Sequence, residues 1–559
     1  MVPRQCPRGH DPRASLSYLR LVHIIVLLCS LGSTQSHFSN PTTFDSSTPL
    51  VVPLMFVHGS IHIELQVGRK SGPVSHNSTT ITSRWTQPQL FIVDTGSHWT
   101  AMECTHQPII QRKRKLKSSF MTSPSIEWQP TSLLGRPKAT ATTTSSQPLQ
   151  RSQKYTIYNP QDSLTVLIQE PNDCELTTHN MVRGSTSNSN QDLCWVEQKY
   201  TEGSSWKAYE INEWMALSSS SVYNTTTSSR NDTVNDHHDE DTRLWNSMVP
   251  MTVGCQTMVS GLFRQQYANG ILGLEQAKDN SMNNYAPGIQ QQSRRQHNSL
   301  VQRLYENKVI GWNAFSLCVG TEPTVIPDTT ELSTKGGSGG FMGFGGALQD
   351  LHSEPMQYTP MLSNDVGHYA IRVNQVWLGS TCLINRLHQP SHDAAVRALT
   401  SNLRPGVSPT TSTSLYKGFD SGKGTLLDSG TTDTFLPASM ARIVEHAWKN
   451  QTGREWERDR THSYTYKEFA NLPTWVFVFE NNVTLAVPPL HYLEDAVGEE
   501  WKGTRELTNR IYTDEPRGAV LGLNVQRGYD ILYDVQGGRI GMAKADCDRA
   551  KYSLSGEPR

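Results

Sequence analysis

The chain has 559 residues, with 50 basic and 51 acidic side chains and a formal net charge of −1. That balance gives no electrostatic footprint for nucleic acid or for an acidic membrane surface, and the length suits two or three average domains or one large two-part enzyme with insertions. A mean hydropathy of −0.50 is polar for a globular enzyme of this size, and the excess sits in local Ser/Thr/Asn/Gln-rich stretches that read as insertions rather than core.

The first 36 residues carry a basic lead (Arg4, Arg8, Arg13, Arg20), an apolar run from Leu21 to Leu28 and small residues from Ser30 to Ser36. This is the layout of a signal peptide, or of an uncleaved signal anchor given the long lead, and the apolar core is short for a membrane span. No second run of spanning length follows, so the expectation is a lumenal or extracellular protein with no later membrane span. Residues 37–50 read as a short polar linker. Setting aside Cys6 and Cys29 in the leader, seven of the nine cysteines remain, an odd number in an oxidising compartment. Sequons at Asn77, Asn224, Asn231, Asn450 and Asn482 agree with that route.

Residues 60–68 alternate polar and apolar side chains as a half-buried strand does. A buried strand from Gln89 to Val93 then delivers Asp94 into the small, hydroxyl-rich turn Thr95-Gly96-Ser97. Residues 107–154 are basic and then Ser/Thr-rich and read as a solvated loop; order is expected again at 155–168, and Cys174 and Cys194 bracket a further polar loop. A Gly/Ser turn after Tyr200, with Thr201, Glu202 and Gly203 at its tip and Trp206 and Tyr209 on the returning arm, gives a β-hairpin. The run Asp236 to Asp241 has metal-ligating types but no scaffold to fix their geometry, and no metal or other cofactor is expected. A helix is expected at 298–307 and a strand at 314–319. The glycine run 336–346 fits no phosphate-loop spacing. Residues 389–414 read as a surface loop, and a helix is expected to open at Leu436-Pro437 and run to about Lys449.

The phrase around Asp94 recurs as Thr425-Leu426-Leu427-Asp428-Ser429-Gly430-Thr431. Each copy is followed by an apolar strand ending in glycine, Gly270-Ile271-Leu272-Gly273 and Ala519-Val520-Leu521-Gly522, where glycine lets backbone approach backbone. The interval from acid to glycine is far longer in the first copy, so the first half carries more inserted sequence. This duplication, with one acid per half, resembles the pepsin-like aspartic proteases. Asp94 to Cys104, the hairpin Tyr200-Thr201-Glu202-Gly203-Ser204, and Gly254-Cys255 with Ser260 to Phe263 are similar to the plasmepsin V-like branch, and the hairpin and C-terminal half to the beta-secretase-like branch.

The resemblance implies a mainly β, bilobal fold with two pseudo-symmetric lobes and an active-site cleft between them: an N-terminal lobe at 51–310, a C-terminal lobe at 311–548 and a polar tail at 549–559. It implies that Asp94 and Asp428 are catalytic, that Thr95 and Ser429 cross-brace their loops, that Gly96 and Gly430 complete the turns, and that Ser97 and Thr431 hydrogen-bond the outer carboxylate oxygens. The hairpin becomes a flap, with Tyr200, Thr201 and Gly203 over bound peptide. By the same likeness Cys318 pairs with Cys547; Cys104, Cys174, Cys194 and Cys255 leave three connectivities open, and Cys382 is the candidate odd thiol. A short linker leaves little room for an inhibitory propeptide.

Two carboxyl groups a few ångströms apart cannot both ionise cheaply, so one keeps its proton and the pair offers a base and an acid together. The expected activity is therefore endopeptidase cleavage of extended polypeptides, by a monomer. The alternatives are a catalytically silent binding or inhibitor protein of the same fold, and a two-carboxylate glycosidase, which would explain the acids but not their repeated contexts.

Overall fold

The computed structural model describes residues 49–57, 59–68, 87–105, 157–163, 166–168, 193–200, 203–217, 248–264, 266–276, 299–321, 339–362, 367–386, 412–458, 460–495 and 503–548. The leader, the linker up to residue 48, Asn77, the basic run at 112–115, Cys174, Thr201, Asn224, Asn231, the acidic run at 236–241 and the tail lie outside these.

The chain is mainly β and forms several sheets. In the largest, Gln87–Asp94 is buried on both faces, with Leu90, Phe91 and Val93 fully inaccessible. Each such side chain contributes roughly 1.5–3 kcal/mol by leaving water. On one side lies Ser60–Val67, antiparallel, with His62 opposite Ile92. On the other lies Gly270–Gly273, parallel, with Gly273 opposite Asp94. That strand is antiparallel to Ala101–Glu103, which in turn runs parallel to Val249–Ser260. The long strand Ser205–Leu217 pairs with Val249–Ser260 and also returns to Ser60–Val67, so the sheet curls back on itself.

The second half repeats this scheme with less inserted between its parts. Thr425–Leu427 lies between Ala370–Ile371, antiparallel, and Ala519–Leu521, parallel, with Leu427 opposite Leu521. Ala519–Leu521 is antiparallel to Thr434–Pro437, which runs parallel to Ile511–Glu515. The glycines that close the two parallel strands are needed for the same reason. A Cβ on Gly273 would come within 2.6 Å of the Trp99 amide nitrogen, and one on Gly522 within 1.9 Å of the Asp433 carbonyl oxygen.

A third, six-stranded sheet is antiparallel throughout and takes strands from distant parts of the chain: Leu50–Pro53, Gly340–Phe344, Ala314–Val319, Tyr529–Asp534, Arg539–Lys544 and Gln357–Pro360, in that order. Phe315 stacks on Tyr533 at 4.7 Å between ring centroids, and Tyr369 meets Tyr533 edge-on at 4.7 Å, so this sheet packs directly under the acid-bearing strands.

The helix expected at 298–307 is Leu300–Glu306, capped by Ser299, whose hydroxyl accepts from the Gln302 amide. Leu436-Pro437 does not open a helix. Thr434–Pro437 is a strand, and the α-helix is Ala441–Thr452, after a single 3-10 turn. Thr434 and Phe435 are β-formers that find partners in Ile511, Tyr512 and Val520, and pairing on both sides outweighs the proline signal. Residues 412–414, expected in a loop, begin the helix Ser412–Asp420.

Of the four first-half cysteines whose pairing was open, Cys104 bonds to Cys255, and Cys318–Cys547 is formed. Cys194 is also disulfide-bonded. Cys382 is not the odd thiol: it too is disulfide-bonded. Among the described residues no helix is long and apolar enough to cross a membrane.

Candidate active site

Each acid stands at the end of a buried strand because the strand is apolar and the turn behind it is built of small residues. Asp94 closes Gln87–Asp94 and is almost wholly buried; Asp428 follows Thr425–Leu427 and is half-buried. In each turn the glycine two residues on donates its amide to its own acid, Gly96 to Asp94 Oδ1 at 2.8 Å and Gly430 to Asp428 Oδ1 at 2.9 Å. The glycines also face the opposite acid. A Cβ on Gly96 would lie 2.7 Å from Asp428 Oδ1, and one on Gly430 would lie 2.2 Å from Asp94 Oδ1. The two turns therefore face one another across a gap too narrow for a methyl group, and both carboxyl groups open onto it.

Four buried hydrogen bonds lock this approach. Thr95 Oγ1 donates to Leu427 O (3.1 Å) and accepts from the Ser429 amide (2.9 Å). Ser429 Oγ donates to Val93 O (2.8 Å) and accepts from the Thr95 amide (3.1 Å). Each hydroxyl thus replaces a backbone partner that the opposite strand end would otherwise lack. The cross-brace expected of Thr95 and Ser429 is present in full geometry.

Thr431 Oγ1 donates to Asp428 Oδ2 at 2.6 Å, as expected. On the other side, Ser97 Oγ lies 3.3 Å from Tyr200 Oη, so Ser97 links its turn to the hairpin. That hairpin pairs Trp195–Lys199 with Ser205–Leu217, Lys199 opposite Ser205. At its turn the Tyr200 amide donates to Ser204 O and the Gly203 amide to Tyr200 O, with Gly203 at φ +93°, a conformation suited to glycine. Thr201 lies outside the described residues.

Sequence reasoning missed several residues here. Trp206, buried on the returning arm, donates Nε1–H to Tyr200 Oη at 3.2 Å, and Phe263 packs on the Tyr200 ring at 5.2 Å. The aromatic arm was visible in the sequence, but not its hydrogen bond. Tyr533 is fully buried near Thr95 and Asp428, and burial pushes its phenol well above the usual range, so it is a neutral group under the acids. Glu275, His98 and His368 gather beside the first turn, with the Nδ1 of each imidazole against one Glu275 carboxylate oxygen. Burial, with the positive charges of His98 and Lys423 adding and Asp428 opposing, pushes His368 down to about 4.

Asn450 and Asn482 are exposed, the first in the helix Ala441–Thr452 and the second at positive φ in a surface turn. Among the described residues no group of histidine, cysteine and acidic side chains has metal-binding geometry.

No family model matches the chain. It is 31% identical over 145 residues to a probable aspartyl protease of Arabidopsis thaliana, a stretch that is 22% of this chain and 29% of that relative. The chain thus aligns with less than a third of the relative's length, and this short likeness points to the aspartic proteases at the level of the family.

Proposed function

We propose that the chain is an aspartic endopeptidase of the secretory pathway, with the bilobal pepsin-like fold and with Asp94 and Asp428 as its catalytic pair. The observation that carries this reading is the mutual approach of the two turns, each glycine against the other's acid, fixed by reciprocal Thr95 and Ser429 hydrogen bonds. Such a pair holds one water. The ionised member takes a proton from it as the water oxygen bonds to the peptide carbonyl carbon, while the protonated member donates to the carbonyl oxygen. The tetrahedral diol then collapses: the C–N bond breaks, the nitrogen takes a proton from the pair, and a carboxylic acid and an amine leave. The acid and base roles belong to the pair rather than to either residue.

The Tyr200 hairpin covers the substrate and keeps bulk water away, and an extended peptide adds strand-type backbone bonds along it. In this reading the lobes are 51–310 and 311–548, the protein acts as a monomer, and Asn450 and Asn482 accept glycans. The two described disulfides are compatible with an oxidising compartment.

The test is cleavage of a mixed peptide library by the purified full chain beside Asp94→Asn and Asp428→Asn, from acidic to neutral pH. Activity in the wild type and a loss of at least a thousandfold in each variant is expected. A folded wild type that cuts nothing would leave the silent binding protein as the better reading. Pepstatin resistance would bear on the subfamily alone.

A further inference from the structure

We propose that Glu275, with His98 and His368, forms a proton-sharing latch between the two halves of the chain, making Glu275 a positioning residue for Asp94 and Asp428. The catalytic part of this statement rests on the proposed function; the latch itself does not.

Glu275 has only 1% of its side chain exposed. Its oxygens contact different rings, Oε2 the Nδ1 of His98 and Oε1 the Nδ1 of His368. The two imidazoles lie parallel with centroids 6.2 Å apart. Each contact is an ion pair only while the ring concerned is protonated, so the position of the proton decides the charge of the cluster. One nitrogen per oxygen is an arrangement for sharing protons, whereas a single metal ion would need both nitrogens turned toward one point.

The backbone around the cluster is fastened to both acid turns. The Glu275 amide donates to Ser97 O at 3.2 Å, inside the Asp94 turn, and the Gln276 amide to Gly367 O at 3.1 Å, across to the other half. Tyr369 Oη donates to Leu274 O at 2.7 Å, while Tyr369 O accepts from the amide of Leu427, the residue before Asp428. A shift of Glu275 is therefore felt at both acids.

The duplicated half supplies a comparison within the molecule. Two residues beyond its closing glycine stands Asn524, also buried, which accepts from Thr434 Oγ1 at 2.8 Å and donates to Arg510 O at 2.9 Å. The place can be filled by a neutral, fully bonded amide. The first half instead puts a charge there, and an isolated buried carboxylate is costly unless paired. One proton shared with the imidazoles neutralises it. A second proton gives the cluster a net positive charge, which Lys423 opposes and Asp428 favours, the other charged groups acting on His368.

The experiment uses the full chain and the variants Glu275→Gln, Glu275→Asp, His98→Asn and His368→Asn. Thermal unfolding from pH 3.5 to 7.5 is measured beside kcat and KM on a peptide from the library. Glu275→Gln is expected to lower kcat tenfold or more with KM within threefold, to flatten the pH dependence of the melting temperature, and to be partly rescued in its pH profile by Glu275→Asp. His98→Asn and His368→Asn are expected to be non-additive with each other. The latch is overturned if Glu275→Gln keeps the wild-type pH profile, or if its activity falls only with its folded fraction. Should Glu275→Gln fail to fold, additive losses in the histidine pair would overturn it equally. A wild type with no peptidase activity would sink the proposed function, and the melting profiles would still decide the latch. Stabilisation by micromolar zinc would replace it with a metal site.

Discussion

At Gly96 and Gly430 the absence of a side chain is what lets each turn approach the opposite acid. A methyl group on Gly430 would sit 2.3 Å from the Asp94 carboxyl carbon, and the only neighbour that can yield is the acid itself. Displacing a reacting group by about 1 Å costs on the order of a hundredfold in rate. Gly430→Ala is thus expected to lose at least that much peptide cleavage while circular dichroism stays native; activity within tenfold of wild type would mean that the turns are looser than described. Tyr200→Phe removes the hydroxyl that joins Trp206 to Ser97. A loss of about 1 kcal/mol in kcat/KM is expected, shared rather than repeated by Trp206→Phe in a double-mutant cycle. The Asp-Thr-Gly and Asp-Ser-Gly turns were legible because their chemistry is contiguous in sequence. Glu275 and His368 were not, because nothing near either residue announces a partner 93 positions away.

At the scale of elements, the crossing of the two strand ends is what makes one site from two turns. Thr95→Val removes a buried hydroxyl and leaves the Ser429 amide and Leu427 carbonyl unmatched; a stability loss of about 1–3 kcal/mol is expected by chemical denaturation. Removing Cys104–Cys255 by paired alanine substitution opens a loop of 151 residues. The expected cost is about 2–5 kcal/mol, and a change below 1 kcal/mol would show that the surrounding sheet already holds this closure. The acid strands, the glycine strands and the hairpin arms could all be read from short apolar or aromatic runs. Pro437 misled because a proline at a strand end and a proline opening a helix look alike, and only Val520 and Ile511, more than 70 residues on, decide between them. Cys382 was assigned as free by counting, and counting carries no geometry.

For the whole molecule, acid is the predicted liability. His368 and His491 are both pushed down to about 4, His368 by burial and then the charges of His98 and Lys423, His491 by burial and then Arg527. An unfolded chain binds those protons nearer pH 6.5, so between about pH 6.5 and 4 the unfolded state holds more protons than the native state. Stability is full above that window and falls as pH drops through it, by an upper limit on the order of 3 kcal/mol per histidine. His491→Gln should remove its share, seen as a smaller drop in melting temperature between pH 7 and 4; an unchanged drop would assign the acid sensitivity elsewhere. The six-stranded sheet carries a different consequence, one of timing during synthesis. Leu50–Pro53 pairs with Gly340–Phe344 within a sheet completed by Tyr529–Asp534 and Arg539–Lys544, and Thr95 waits for Ser429, 334 residues later. A ribosome must therefore release nearly the whole chain before the two acid turns can meet, so whatever this site does can begin only after translation is all but complete.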